Sequence, residues 1–166
     1  MSEIKDTGKK RVFDSGAHRD DDSEKGAMHL VPWIQAARVA EDPVVKEIGK
    51  FIEDFNPEHI EKALRLSVDT IPEFRGKTIW ELFLEVSYQY KGGAEKYGAN
   101  NWKNGMPLWC FVDSGSRHYS KHMAGYKDEP HHRGWAWNML GLLWTIDNIP
   151  NSLRDFEQMM TAYKVK

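Results

Sequence analysis

Acidic side chains one helical turn apart are the first residues that could do chemistry. Glu81 and Glu85 are four residues apart, so on a helix their carboxylates share a face. Like charges at this spacing destabilise a helix by about 0.2–0.5 kcal/mol. A divalent cation would relieve that repulsion, and carboxylate oxygens suit Mg²⁺ or Mn²⁺. The alternative is an acidic face in contact with water, with Glu81 used as a helix cap, and the pair alone favours that alternative.

A second acidic group adjoins two histidines. Asp128, Glu129, His131 and His132 flank Pro130 at a predicted helix start. Carboxylates at a helix start complement the helix dipole in any case. Glu129 and His132 are three residues apart, however, and could bind one ligand. The spacing leaves two interpretations open: a ligand site, or a proline-led acidic cap followed by solvated histidines.

A basic cluster lies between these acidic segments in the sequence. Arg117 and Lys121 are four residues apart, and so are His118 and His122. Stacked cations on one helix favour an anion such as phosphate, although an exposed basic face would explain a lone cluster. Combined with carboxylates on two other segments, the cluster indicates phosphoryl chemistry. In that chemistry metal ions bind the phosphate oxygens and cations neutralise the developing charge.

A polar loop over residues 96–105 could bind a base or a ribose. The amide of Asn101 can read a base edge, and Trp102 offers a stacking face. The alternative is an ordinary turn anchored by a buried tryptophan. Asn138 follows Trp137 in an otherwise apolar stretch, so its amide must find a hydrogen-bond partner if it is buried.

Helical patterns must position these residues. Apolar residues recur at helical spacing from Pro32 onward, and no alternating strand pattern competes with them. Asp42-Pro43 and the Thr78/Glu81 capping box are typical helix starts. We expect the helix from Thr78 to end at Gly92-Gly93, and we expect Asp113 or Ser114 to cap the next helix. Another helix is expected to start at 128–130, and a last one to span 152–163. These patterns predict an all-α fold, a helical bundle.

The first 26 residues differ in composition from the rest. They are almost free of apolar side chains, with a basic run at 9–11 and an acidic run at 20–22. Such a composition predicts an extended arm, disordered unless it docks on another surface. The sequence therefore predicts an N-terminal arm over 1–26 and one all-α domain over 27–166.

Composition excludes several classes of function. Lys and Arg total 23 against 25 Asp and Glu, for a formal charge of −2, which argues against a partner that is a nucleic-acid polymer. No long apolar run is present, which argues against a membrane span. The single cysteine, Cys110, cannot form an internal disulfide, which predicts a reducing cytoplasm. Its neighbours Trp109 and Phe111 indicate a core position.

Several motifs, in order along most of the chain, resemble a phage and bacterial family of dATP/dGTP diphosphohydrolase-type proteins. In the arm they are Ser15-Gly16-Ala17, Arg19-Asp20 and Lys25-Gly26, followed by Leu30 and Pro32. In the central region they are Leu84-Glu85-Val86-Ser87, Gly93-Ala94, Lys96-Tyr97-Gly98 and Asn101-Trp102-Lys103. Towards the end they are Asp113-Ser114, Arg117-His118-Tyr119, Lys121, Asp128-Glu129-Pro130-His131, Arg133 and Trp137-Asn138. Each motif is weak alone, and the ordered set is specific.

The resemblance implies a fold and an activity. The family is similar to the all-α, MazG-like nucleoside triphosphate pyrophosphohydrolases, which are usually oligomeric and depend on Mg²⁺ or Mn²⁺. Those enzymes cut between the α and β phosphates and release a monophosphate and pyrophosphate. The resemblance therefore implies a homo-oligomer that hydrolyses a purine deoxynucleoside triphosphate, dGTP or dATP. Relatives act in phages that replace adenine by 2-aminoadenine, which implies the cytoplasm of a bacterium or of an infected host.

Site residues follow from the motifs and the resemblance together. The expected metal ligands are Glu81, Glu85, Asp128, Glu129 and His132. The expected catalytic residues are Glu85, Glu129 and His118. The expected substrate-binding residues are Arg19, Lys96, Asn101, Trp102, Asp113, Arg117, Lys121, His131, Trp137 and Asn138.

Three positions depart from the family pattern. His132 stands where the family often carries aspartate, and Lys91 and Gly92 stand where it carries acidic residues. Imidazole suits Mn²⁺ better than Mg²⁺. Two other classes of function stay open: a nucleotide-binding regulatory or scaffold protein that has lost hydrolysis, and a small helical adaptor with no ligand.

Overall fold

The computed structural model describes residues 8–21 and 25–164, and this part of the chain contains seven α-helices. They are α1 (Trp33–Ala40), α2 (Pro43–Asp54), α3 (Glu58–Thr70), α4 (Ile79–Tyr97), α5 (Leu108–Met123), α6 (His131–Asn148) and α7 (Ser152–Lys164). Short 3-10 turns lie at Met28–Leu30, Pro72–Phe74 and Asn101–Asn104. The buried apolar side chains form one core cluster between the helices. The all-α prediction is confirmed.

Local side-chain bonds set two helix starts as predicted. Asp42 precedes α2, and its carboxylate accepts hydrogen bonds from the backbone N–H groups of Val44 and Val45 at 2.8 and 3.0 Å. Thr78 and Glu81 form the predicted capping box of α4, in which the Thr78 backbone N–H donates to Glu81 at 2.7 Å. Both caps satisfy backbone donors that a helix start leaves free.

Glycines allow α5 and α6 to pack closely. A Cβ added to Gly141 would lie 2.6 Å from Cε1 of Phe111, and one added to Gly134 would lie 2.7 Å from the ring of His118. No real Cβ tolerates such contacts without a shift of its neighbours. The close approach brings the start of α6 against the His118 side of α5, where the candidate site is found.

Three predicted helix boundaries were wrong. Helix α4 continues through Gly92-Gly93 to Tyr97, since an interior glycine costs only about 1 kcal/mol. Helix α5 starts at Leu108, and Asp113 lies buried inside it, bonded to His29, rather than at its cap. Helix α6 starts at His131, so Asp128 and Glu129 lie in the preceding loop.

The N-terminal segment forms a β-hairpin that docks on the helices. Strand β1 (Lys10–Val12) pairs antiparallel with β2 (His18–Asp20), with Arg11 opposite Arg19. Composition gave no sign of these strands, because docking rather than an apolar pattern holds them. The predicted arm spans 1–26, of which residues 1–7 and 22–24 lie outside the described part. No helix within 8–21 or 25–164 is long and apolar enough to cross a bilayer.

Candidate functional site

A cavity of about 260 Å³ opens between the hairpin, α4, α5 and α6. Eight of the ten residues predicted to bind substrate line it: Arg19, Asn101, Trp102, Asp113, Arg117, Lys121, Trp137 and Asn138. The predicted catalytic residues His118 and Glu129 line it as well. Lys96 and His131 are not among the lining residues, and neither are Glu81, Glu85, Asp128 and His132. The structure therefore brings together residues from segments that are far apart in the sequence.

One part of the cavity wall is aromatic. The ring of Tyr90 contacts Trp102 at 5.5 Å and Trp137 at 6.0 Å between centroids. Trp144 supports Trp102 from behind, with the rings edge to face at 4.9 Å. Such half-buried aromatic faces bind planar ligands by stacking, and a nucleobase is one such ligand.

Arg19 is a partly buried cation on the cavity wall. Its Nη2 donates a hydrogen bond to Oδ1 of Asn138 at 2.5 Å, and its guanidinium lies 5.6 Å from the ring centres of Phe111 and Trp137. Burial lowers the pKa of Arg19. No carboxylate pairs with Arg19 among residues 8–21 and 25–164. A charge that is partly removed from water and has no counterion is costly, so this guanidinium favours an anionic ligand.

Further cations surround His118. Burial, the neighbouring His131 and the charges of Arg19, Arg117 and Lys121 lower the pKa of His118 to about 3. The imidazole is therefore neutral near pH 7 and keeps a lone pair. Among the residues that the structure describes, the cavity wall has five Lys or Arg side chains and three carboxylates. Two of these carboxylates are bonded to residues of the fold, Asp20 to Lys96 and Asp113 to His29. This balance favours an anion such as a polyphosphate.

Three side chains meet at the cationic part of the wall. The Nδ1 atoms of His118 and His131 are 3.0 Å apart, and Oε1 of Glu129 lies 3.7 and 3.6 Å from them. Bonds of about 2.1 Å to one ion place neighbouring ligand atoms about 3.0–3.4 Å apart. His131 also lies 2.8 Å from Oδ1 of Asp128 through its other nitrogen, Nε2. That second contact is the usual support of a metal-bound histidine. The donor set therefore fits a divalent cation.

The other predicted metal ligands lie elsewhere. Glu85 accepts a hydrogen bond from Nε of Arg133 at 2.8 Å and lies 3.5 Å from Nε2 of His132. Burial would raise the pKa of Glu85, but its interactions with Arg133 outweigh that effect and lower it. Glu81 is bonded to Thr78 in the capping box. Within the described ranges, two groups of His and carboxylate side chains could hold an ion, and neither includes Glu81, Glu85 or Asp128.

Residues 56–154 match the family model described as dATP/dGTP diphosphohydrolase, N-terminal. The chain belongs to this family. No curated protein and no solved structure matches it. The matched range holds α3 to α6, and thus His118, Glu129, His131 and the aromatic wall. The hairpin with Arg19 precedes that range.

Several polar groups predicted to contact substrate are bonded to the fold of this diphosphohydrolase-family chain. Asn101 accepts from the backbone N–H of His18 at 2.8 Å and donates to its carbonyl at 2.9 Å. Asn138 is buried, and its amide finds the hydrogen-bond partners that burial requires. Its oxygen accepts from Arg19, and its nitrogen donates to the carbonyl of Gly134. Nζ of Lys96 lies 2.8 Å from Asp20. These side chains hold the cavity wall in place.

Sequence reasoning missed one face of α4 that lines the cavity of this family member. It comprises Gln89, Tyr90, Gly93, Ala94 and Tyr97. The small residues leave room, and Gln89, Gly93 and Tyr97 recur every four residues, which is one face of a helix. That spacing was a usable signal, but the expected helix end at Gly92-Gly93 concealed it.

Proposed function

We propose that the chain is a metal-dependent pyrophosphohydrolase of purine deoxynucleoside triphosphates, which converts dGTP or dATP to the monophosphate and pyrophosphate. One observation supports this most strongly: Arg19 is a partly buried cation without a described carboxylate partner, and it lies between an aromatic wall and the His118, Glu129 and His131 group. A purine nucleotide has a planar base at one end and polyphosphate at the other. The family description names dATP and dGTP.

The positions of residues on the cavity wall support a role for each of them in this proposal. Trp102 and Trp137 stack on the purine, because their faces form the aromatic part of the wall. Arg19, Arg117 and Lys121 neutralise the triphosphate and the departing pyrophosphate. Asp128 accepts from Lys121 at 3.2 Å as well as from His131, so it links the cationic wall to the metal-binding group.

His118, Glu129 and His131 are the residues that would hold the cation. A bound divalent ion supplies a Lewis acid at a phosphate oxygen and a hydroxide-like water near neutral pH. Two imidazole nitrogens and one carboxylate form a softer donor set than carboxylates alone. We therefore expect Mn²⁺ to support activity better than Mg²⁺.

Four further predictions made from the sequence are also part of this proposal. They are a role in phage modified-purine metabolism, a cytoplasmic location, one domain over 27–166 and a homo-oligomer. The outer face of α4 supports self-association, since Trp80, Leu84 and Tyr88 recur every four residues and are 70%, 66% and 50% exposed. Size-exclusion chromatography with light scattering measures the number of chains.

A panel of nucleotides tests the proposed reaction. Each deoxynucleoside triphosphate is incubated with Mn²⁺ or Mg²⁺, and monophosphate and pyrophosphate are measured together. We expect both products in equal amounts from dGTP and dATP, with Mn²⁺ the better metal. Diphosphate with phosphate would contradict the proposed bond cleavage. Tight nucleotide binding without products would instead support the regulatory or scaffold function.

A further inference from the structure

A second group of histidines and a carboxylate lies beside the first, outside the cavity lining. It comprises Glu73 of the Pro72–Phe74 turn, His122 of α5 and His132 of α6. His122 follows His118 by one helical turn, and His132 follows His131 directly. The same two helices thus build two groups, each with one histidine from α5, one from the start of α6 and one carboxylate from a connecting segment.

The geometry of this group is unusual for a simple ion pair. Nε2 of His122 lies 2.8 Å from Oε2 of Glu73, but the two atoms are not aligned as a hydrogen bond, and Oε2 is buried without a hydrogen-bond partner. One ligand atom from each of the three side chains lies within 4.8 Å of the others. A buried polar atom without a hydrogen-bond partner requires an explanation, and an ion bound between this oxygen and the two imidazoles would provide one.

The surroundings are compatible with a bound cation. Both imidazoles are shielded from water, since the side chain of His122 is 5% exposed and that of His132 is 15% exposed. Nearby charged groups include Glu85, 3.5 Å from His132 and paired with Arg133, and Lys127, 3.6 Å from Glu73. Lys127 has a side chain that is 76% exposed, so it can move into water. Phe74 contacts His132 edge to face at 5.4 Å and shields it.

We propose that Glu73, His122 and His132 bind a divalent transition-metal ion such as Zn²⁺, at a structural site separate from the cavity. Two imidazoles and a carboxylate are a common protein ligand set for Zn²⁺. The ion would fix the Pro72–Phe74 turn, which joins α3 to α4, against α5 and α6. None of the three residues lines the cavity, so this site is independent of the proposed hydrolysis.

Metal content without nucleotide tests the proposal. The starting protein is His118→Gln, which removes a ligand from the cavity group, so that bound Zn²⁺ reports on the second site alone. After equilibrium dialysis against Zn²⁺, we expect one equivalent per chain in this protein and none when His122→Gln is added. Adding His59→Gln is the matched control, because His59 also contacts carboxylates, Glu47 and Asp54, but belongs to neither group.

Two further readouts keep the test decisive. Co²⁺ bound in place of Zn²⁺ is expected to give a visible absorption band that is lost with Glu73→Gln. Because Glu73 lies in a short surface turn, this variant also serves if His122→Gln fails to fold. Zn²⁺ should raise the melting temperature of His118→Gln and leave His118→Gln/Glu73→Gln unchanged. Equal Zn²⁺ content with and without His122 or Glu73 would overturn the proposal, whatever the hydrolytic activity.

Discussion

His118 connects the two chemical halves of the candidate site. Its Nδ1 faces His131 and Glu129, while the charges of Arg19, Arg117 and Lys121 contribute to its lowered pKa. A neutral imidazole can bind a cation, whereas an imidazolium cannot. The cations around His118 therefore attract phosphate oxygens. They also favour the neutral form of the imidazole over the imidazolium.

Glu129→Gln tests the metal-binding group with a substitution of nearly equal shape. The change removes the only negative charge of the three ligands, so we expect Mn²⁺-dependent release of pyrophosphate from dGTP to fall by about 100-fold or more. Pyrophosphate and dGMP are measured at saturating Mn²⁺. Glu157→Gln, on the exposed surface of α7, is the control and should keep full activity. Wild-type activity in Glu129→Gln would contradict the assignment.

Arg19→Met separates binding from stability. A hydrogen bond to a charged group contributes about 1.5–3 kcal/mol, so we expect dGTP affinity to fall by roughly 10- to 100-fold. The melting temperature should change little, because removal of a partly buried charge without a described carboxylate partner offsets the loss of the hydrogen bond to Oδ1 of the buried Asn138. Calorimetry and thermal unfolding measure the two effects. Arg154→Met, exposed on α7, should change neither quantity. A large loss of stability with unchanged affinity would assign Arg19 a structural role instead.

At the scale of elements, Glu47 connects α2 to α3. It is 3% exposed, and it lies 2.7 Å from Nδ1 of His59 and 3.1 Å from Nζ of Lys62, with Lys50 of its own helix at 2.9 Å. Burial alone would raise the pKa of Glu47, but these hydrogen bonds outweigh it and lower the pKa from 4.5 to about 2. The folded state therefore binds this proton less tightly than the unfolded state.

Acid titration tests the contribution of Glu47. Its stabilisation is fully present above the unfolded pKa of 4.5 and is lost as the pH falls towards 2. We expect the free energy of unfolding of the wild type to fall by about 1–3 kcal/mol more than that of Glu47→Gln over this range. Denaturant unfolding at several pH values measures it. Glu53→Gln, exposed on the same helix, should follow the wild type, and parallel curves for all three proteins would contradict the prediction.

Element boundaries show which features a sequence can predict. The starts of α2 and α4 depend on Asp42 and Thr78, which bond to residues two or three positions away, and both were predicted correctly. The end of α4 depends on a distant partner, because Lys96 and Tyr97 bond to Asp20, 76 and 77 residues earlier. A local sequence pattern can therefore predict a helix start that depends on neighbouring residues, but not a helix end that depends on a distant residue.

The candidate site follows the same rule. Residue types and spacing identified the cationic residues of α5 and the aromatic loop, and these line the cavity. They did not show that Glu85 pairs with Arg133, 48 residues later, while Glu129 meets His118 and His131. Which carboxylate faces which histidine is decided by helix packing, and in particular by the close contact of Gly134 with His118.

At the scale of the whole molecule, the N-terminal hairpin completes the cavity. It supplies Arg19, and it is held by Asp20, by Asn101 and by Ser15, whose hydroxyl donates to the carbonyl of Gly105 at 2.6 Å. Every one of these anchors lies more than seventy residues away from its partner in the sequence. The hairpin is therefore held in place by tertiary contacts rather than by residues next to it in the sequence.

Asn101→Ala tests whether the hairpin positions Arg19. The variant loses both hydrogen bonds to the backbone of His18, worth about 0.5–1.5 kcal/mol each, so opening of the hairpin should become easier by roughly 5- to 150-fold. Hydrogen exchange of residues 10–20 should accelerate and dGTP affinity should fall, while exchange in α5 and α6 stays unchanged. Asn104→Ala, an exposed position in the same turn, is the control. Equal exchange in both variants would show that Asn101 does not hold the hairpin. Faster exchange with unchanged affinity would show that Arg19 contributes little to nucleotide binding, and the cationic residues of α5 would then have to bind the triphosphate alone.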